Sequence, residues 1–204
     1  MKQDQKALGR ESWRVFFAGV GGQGTLLASR VLGEAALLVG VHVVVSEIHG
    51  MAQRGGVVES AVLLGKIESP TISDGEADVL LGFEPLETLR AVRKCNEESL
   101  VISNTSPLVP FTIASSSSSN YPDIEEMMSM VARRVGRLIT LDALELARNA
   151  GSELTANMVL LGALLRHGDL PFDRQAIERV LTMKTKKSFL EMNLKAFELG
   201  FQQQ

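Results

Sequence analysis

The stretch RVFFAGVGGQGTLLASRVLGEAALLVGVHVVVS, residues 14–46, decides the fold. Arg14 to Ala18 is a short β-branched and aromatic run that stops at glycine, which reads as a buried strand. Gly19-Val20-Gly21-Gly22-Gln23-Gly24 comes next. Thr25 to Val39, rich in Leu and Ala and closed by Gly40, reads as a largely buried helix. Val41 to Ser46 is a second apolar strand. Strand, glycine turn, helix and strand in this order predict a right-handed βαβ unit whose two strands form a parallel pair.

Downstream, Glu47 to Gly56 reads as a loop and Val57 to Leu64 as a third strand. Asp78 to Gly82 is a short strand, and Glu84 to Lys94 a helix with Pro85 in its first turn, where a missing N–H costs little. Leu100 to Ser103 is a further strand. Residues 104–122, with three prolines and the run Ser115 to Ser119, read as a long mobile loop. Asp123 and Glu126 make a capping box for a helix reaching about Val135. Arg137 to Leu141 is a last strand, followed by helices over Ala143 to Ala150, Thr155 to Arg166 and Phe172 to roughly Leu199. The expected class is α/β: a Rossmann-like, doubly wound, mostly parallel sheet with helices on both faces and a helical C-terminal third. Residues 1–12 are expected to be a flexible arm and 13–204 a single domain.

Composition narrows the function. Lys plus Arg is 21 against Asp plus Glu at 24, a formal net charge of −3, so there is no broad electrostatic footprint for nucleic acid. The single cysteine, Cys95, cannot make an internal disulfide, a Cys-based zinc site or an iron–sulfur cluster. Any electron transfer served by this protein must then run through another chain. Asn96, Glu97 and Glu98 beside Cys95 discourage its thiolate. The polar start MKQDQKALGRESWR lacks the apolar stretch of a secretory signal, and no apolar run is long enough to span a bilayer. A soluble, cytoplasmic protein is expected.

Gly19, Gly21 and Gly24 satisfy G-x-G-x-x-G between a strand and a helix. In that pattern the first glycine permits a sharp turn, the second a close ligand, and the third tight packing of helix on strand. The free N–H groups and dipole at the helix start attract an anion, usually phosphate. Glu47, at the end of the second strand, sits where a nicotinamide enzyme keeps its ribose-binding acid. Against a dinucleotide stand Gly22 and Gln23 in the variable positions and the polar IHGMAQRGG that follows Glu47.

Four segments, GVGGQG (19–24), SEIHGMAQRGG (46–56), LLGFEPLE (80–87) and Asn193-Leu194-Lys195-Ala196-Phe197, carry a resemblance. Over about residues 14 to 200 the chain resembles the small subunit of indolepyruvate:ferredoxin oxidoreductase and, more broadly, the gamma-type subunits of 2-oxoacid:ferredoxin oxidoreductases. The resemblance implies oxidative decarboxylation of an aryl-pyruvate to an aryl-acetyl-CoA, with ferredoxin as acceptor. It implies a large partner subunit holding thiamine diphosphate and iron–sulfur clusters, contact with ferredoxin through that subunit, and coenzyme A as co-substrate. This chain alone is then expected to bind no cofactor and to be inactive. In agreement, it has no thiamine diphosphate motif; Ser73-Asp74-Gly75 is not one.

Gly19, Gly21, Gly22, Gln23 and Gly24 are the candidate cofactor-binding residues, a nest of N–H groups facing a phosphate or the partner's active-site region. Gln23 either donates to that ligand or caps the turn. Glu47, His49, Gln53 and Arg54 are candidates for the partner interface or its active-site mouth, with Arg54 suited to a bidentate grip on a carboxylate or phosphate. Asn157 and Asn193, inside helical patterns, each suggest a hydrogen-bonding task or an exposed polar face. Lys184, Lys186 and Lys187 form a basic cluster: a solvated face, or a contact for an anionic part of coenzyme A or an acidic patch of a partner. Met127, Met128 and Met130 read as core filling or soft interface residues. Two other readings remain at this point: a free-standing NAD(P)-binding oxidoreductase, and a scaffold whose glycine turn holds nothing.

Overall fold

The computed structural model describes residues 10–49, 56–67, 69–108 and 121–204. Its elements are β1 (Ser12–Val20), α1 (Thr25–Leu38), β2 (Val43–His49), β3 (Val57–Gly65), β4 (Ala77–Gly82), α2 (Pro85–Ala91), β5 (Cys95–Asn104), α3 (Ile124–Ala132), β6 (Arg137–Leu141), α4 (Ala143–Ala150), α5 (Ala156–His167), α6 (Arg174–Lys184) and α7 (Lys187–Phe201). Along β1, Val15 and Phe17 point to one side of the sheet and Phe16 and Ala18 to the other, and all four are buried. A strand covered on both faces reads as an unbroken apolar run, which is why RVFFA carries no alternation.

The six strands lie in the order β2-β3-β1-β4-β5-β6. β1, β4, β5 and β6 pair in parallel, while β3 runs antiparallel between β1 and β2. The expected parallel pair of β1 and β2 is therefore corrected. The two point the same way, but β3 separates them, with Phe16 opposite Ala61 and Ala61 opposite Ser46. The connection from His49 to Val57 is too short for a parallel crossover, so β3 can only return alongside β2.

One face carries α1 and α4 to α7, packed on Phe17, Leu64, Leu81 and Ile102 together with Leu32, Leu161 and Phe197. The other carries α2 and α3, with Leu63, Leu80, Val101, Met127 and Val131 at its centre. Met128 is buried there too, whereas Met130 is exposed. The long helix read from Phe172 to Leu199 is broken: Thr185 and Lys186 are extended, and α7 starts afresh at Lys187. Of the expected flexible arm, the last residues are tied down. Arg10 pairs with Asp78, Glu11 with Lys66 at 2.7 Å, and Ser12 opens β1.

Candidate functional site at the carboxyl edge of the sheet

β1, β4, β5 and β6 all end on one edge, where ligands of open α/β sheets bind. The glycine segment sits there, and its glycines divide the work differently from the expectation. Gly19 still belongs to β1; a Cβ on it would stand 2.7 Å from Phe83 Cβ and 2.8 Å from Thr25 Oγ1, so it admits the β4–α2 junction rather than a turn. Gly21 donates its N–H to the Gly56 carbonyl at 2.9 Å, tying the turn to the start of β3. Gly22 has φ +103°, and no described residue lies within 4 Å of where its Cβ would stand. Gly24 has φ +78° and touches α5, not the sheet: a Cβ would lie 2.5 Å from Asn157 Nδ2.

Gln23 caps the turn. Its Oε1 accepts the Val20 N–H at 2.8 Å and its Nε2 donates to the Phe83 carbonyl at 3.0 Å. The same carbonyl accepts from Asn104 Nδ2 at 3.0 Å. Asn104 also accepts the Ala143 and Ser106 N–H groups at 2.9 and 3.2 Å, so one buried amide joins β4, β5 and the start of α4. Asn157, buried in α5, accepts the Met158 N–H and directs its Nδ2 at the Gly24 carbonyl. This answers the expected hydrogen-bonding task of Asn157, while Asn193 is half-buried on α7.

These braces do not cap the start of α1. Its N-cap is Gly24, with no side-chain cap and no acidic residue in the first turn. Thr25 Oγ1 is buried and has no hydrogen-bond partner among the described residues. Backbone N–H groups at a helix N-terminus beside a left-handed glycine suit an anionic oxygen ligand such as phosphate.

Glu47 is not beside this turn. It lies in β2, opposite Ser60 of β3, which in turn lies opposite Phe17 of β1. Two strand spacings, about 10 Å, separate it from β1, and Arg30 of α1 holds its carboxylate through bonds of 2.9 and 3.1 Å. The ribose-acid position expected for Glu47 is corrected, because the intervening β3 removes it from the glycine turn. Glu47, Ile48 and His49 also extend β2 rather than open a loop. The His49 side chain, and all of Gln53 and Arg54, lie outside the described residues, as does the serine run.

A buried acid pair was not anticipated. Glu84 caps α2 by accepting the Glu87 N–H at 3.0 Å, and it accepts the Tyr121 hydroxyl, which itself takes the Leu86 N–H at 3.2 Å. Burial, and then the Glu84 carboxylate, push the Tyr121 phenol up. Burial likewise raises Glu87, with Arg90 2.6 Å away opposing the shift. The cue in the sequence was a carboxylate directly before Pro85, an N-cap position. For Asn104 it was a polar residue ending an apolar strand on the binding edge. Thr25 left no such cue.

Asp142 caps α4, accepting the Glu145 N–H at 2.9 Å and the Ser106 hydroxyl at 2.6 Å. Burial works against its charge, but the Ser106 hydroxyl and the N–H groups of Glu145 and Leu144 outweigh that and hold the carboxyl below its usual range. A lowered carboxyl contributes stability that is present above the ordinary carboxylate range and lost as pH falls through its folded value. Asp142→Asn is therefore expected to destabilise the chain at neutral pH, and to do so less at a pH below the ordinary carboxylate range. Urea unfolding at both pH values checks this. Cys95 behaves as expected of an unreactive thiol: burial pushes it up to about 12, against a lowering bond with Ser99.

The chain is a Rossmann-like α/β domain whose first helix starts, without a side-chain cap, at the carboxyl edge of the sheet. Among the described residues, no helix is long and apolar enough to cross a membrane. Residues 14–203 match the family described as pyruvate ferredoxin/flavodoxin oxidoreductase, and the chain belongs to that family. The indolepyruvate oxidoreductase subunit IorB of Methanothermobacter thermautotrophicus is 41% identical over 190 residues, 93% of this chain and 96% of that one. The gamma subunit of keto/oxoacid ferredoxin oxidoreductase from Geobacter sulfurreducens superposes with a TM-score of 0.66 at 25% identity, covering 93% and 96% of the two chains. The 2-oxoglutarate:ferredoxin oxidoreductase of Magnetococcus marinus, solved with 2-oxoglutarate, coenzyme A and succinyl-CoA, shares the fold with a TM-score of 0.71 at 18% identity. There it covers 94% of this chain but 31% of the longer one.

Proposed function

We propose that this chain is the non-redox small subunit of an indolepyruvate-type 2-oxoacid:ferredoxin oxidoreductase, working in the cytoplasm with a large thiamine diphosphate and iron–sulfur subunit. The identity with an indolepyruvate oxidoreductase subunit over nearly the whole length of both chains carries this reading. The large subunit supplies the carbanion chemistry and the electron path to ferredoxin. This chain supplies binding: the N–H groups opening α1 and the Gly22 backbone face a phosphate of coenzyme A or of thiamine diphosphate. Gln23, Asn104 and Asn157 hold that turn in shape. Preorganised donors of this kind orient an anionic group without reorganising when it arrives.

A nicotinamide dinucleotide fits poorly, since Glu47 stands two strands from the turn and is engaged by Arg30. Purifying the chain alone and together with the large subunit tests the reading. Indolepyruvate- and coenzyme A-dependent reduction of ferredoxin is expected only from the pair. Turnover by the isolated chain, or calorimetric heat from NAD binding to it, would overturn the proposal.

A further inference from the structure

The joint between α6 and α7 exposes residues 182–184 and 186–189, apart from the half-buried Thr185 between them. Met183 and Phe189 keep 60% and 49% of their surface in solvent, large for an aromatic and a thioether with no ligand role. Lys184, Lys186 and Lys187, all exposed, lie between them in sequence. Lys184 reaches Glu34 of α1 at 3.5 Å, while Lys186 and Lys187 have no ion-pair partner among the described residues. The nearest acid along the chain is Glu191, exposed one turn into α7. Lys186 is the N-cap of α7 without a side-chain bond, and the first turn of α7 holds no acidic residue. The positive end of the helix thus adds to two uncompensated ammonium groups.

A face that is merely solvated mixes both signs of charge and hides its aromatics. This one gathers positive charge around two apolar side chains, on a chain whose formal net charge is −3. It is also distant from the carboxyl edge. Glu34 lies in the second half of α1, about 15 Å along the helix from the glycine turn at 1.5 Å per residue. We infer that Lys186, Lys187, Phe189 and Met183 form a second docking surface, filled in the assembled enzyme by an acidic, apolar-bearing surface of the large subunit. Charge complementarity selects the acidic partner. The relatives matched over nearly their whole length are subunits of an oxidoreductase, and a subunit needs faces that bind another chain.

The inference rests on the proposed pairing with a large subunit, and the test separates the two. The co-purified complex and the isolated chain are acetylated with a limiting amine reagent, and each lysine is followed by mass spectrometry against an added free lysine peptide. Lys186 and Lys187 are expected to label about tenfold more slowly in the complex, and Lys186→Glu/Lys187→Glu to weaken assembly about tenfold in low salt. Lys186→Arg/Lys187→Arg is expected to restore assembly. Since both lysines are exposed and acids favour a helix N-terminus, the thermal midpoint of the free variant chain should not fall. If the complex forms and the two lysines label as in the free chain, the inference fails while the pairing stands. If they are protected in the free chain together with a doubled mass in gel filtration, a second copy covers the face and the inference also fails. If no complex forms, the pairing fails and the inference with it.

Discussion

Gly200→Ala is expected to lower the thermal midpoint of this chain by about 4–8 °C, although alanine is the better helix former. Gly200 lies in α7, where it meets α5 backbone to backbone. A Cβ there would overlap the Val159 carbonyl oxygen and stand 2.6 Å from the carbonyl carbon. The facing position repeats the arrangement, since a Cβ on Gly162 would overlap the Phe197 carbonyl oxygen and lie 2.8 Å from the Phe201 nitrogen. Alanine gains about 1 kcal/mol of helix propensity over glycine. Forcing the helices apart costs about 3 kcal/mol, because backbone atoms cannot rotate out of the way as a side chain can, and the clash dominates. The net cost is then about 2 kcal/mol, which at 2–4 °C per kcal/mol for a domain of this size is about 4–8 °C. Gly33→Ala is the control. It is also buried in a helix, but its Cβ would meet the Val45 Cγ2 methyl at 2.8 Å, the end of a side chain on the edge strand. That variant is expected to stay within about 1 kcal/mol of the parent. Equal melting of the Gly200 variant and the parent would mean the two helices do not meet backbone to backbone.

The same glycines show what was legible in the sequence. Element types could be read because periodicity and caps are local properties. Arg137 to Leu141 and Ala143 to Ala150 are legible with the bounds they have, since Asp142 caps the second and Gly151 ends it. Neighbour relations are not local. Nothing in VVESAVLL says which strand it joins, and the insertion of β3 between β1 and β2 follows only from the shortness of the connection after His49. The break at Thr185 carries no proline or glycine, so an amphipathic pattern runs through it. At the site, the glycine turn was legible as a motif, but the role of each glycine was not. Gly19 and Gly24 are fixed by Phe83 and Asn157, which are remote in sequence. Asn104 and Glu84 escaped for the same reason: their partners come from several elements, and single-chain pattern says nothing about convergence.

Gly22 and Gly24 offer the sharpest test of whether the turn binds a ligand or only joins β1 to α1. Both have positive φ, so alanine at either costs about 1–3 kcal/mol in backbone strain. They differ in surroundings. A methyl on Gly24 would also press on Asn157 Nδ2, so Gly24→Ala is expected to lose stability whatever the turn does, and part should return when Asn157→Ser is added. Around Gly22 no described residue comes within 4 Å, so a methyl there meets none of them and intrudes on whatever approaches the turn. In the assembled oxidoreductase, Gly22→Ala is expected to raise the apparent KM for coenzyme A about tenfold or more while kcat at saturation stays near the parent value, because uniform binding is lost rather than transition-state stabilisation. If the requirement for thiamine diphosphate rises instead, the turn faces the thiamine phosphates. If assembly and both requirements are unchanged despite the strain, the uncapped start of α1 holds no anion, and the turn serves only to bring Gly24 against Asn157.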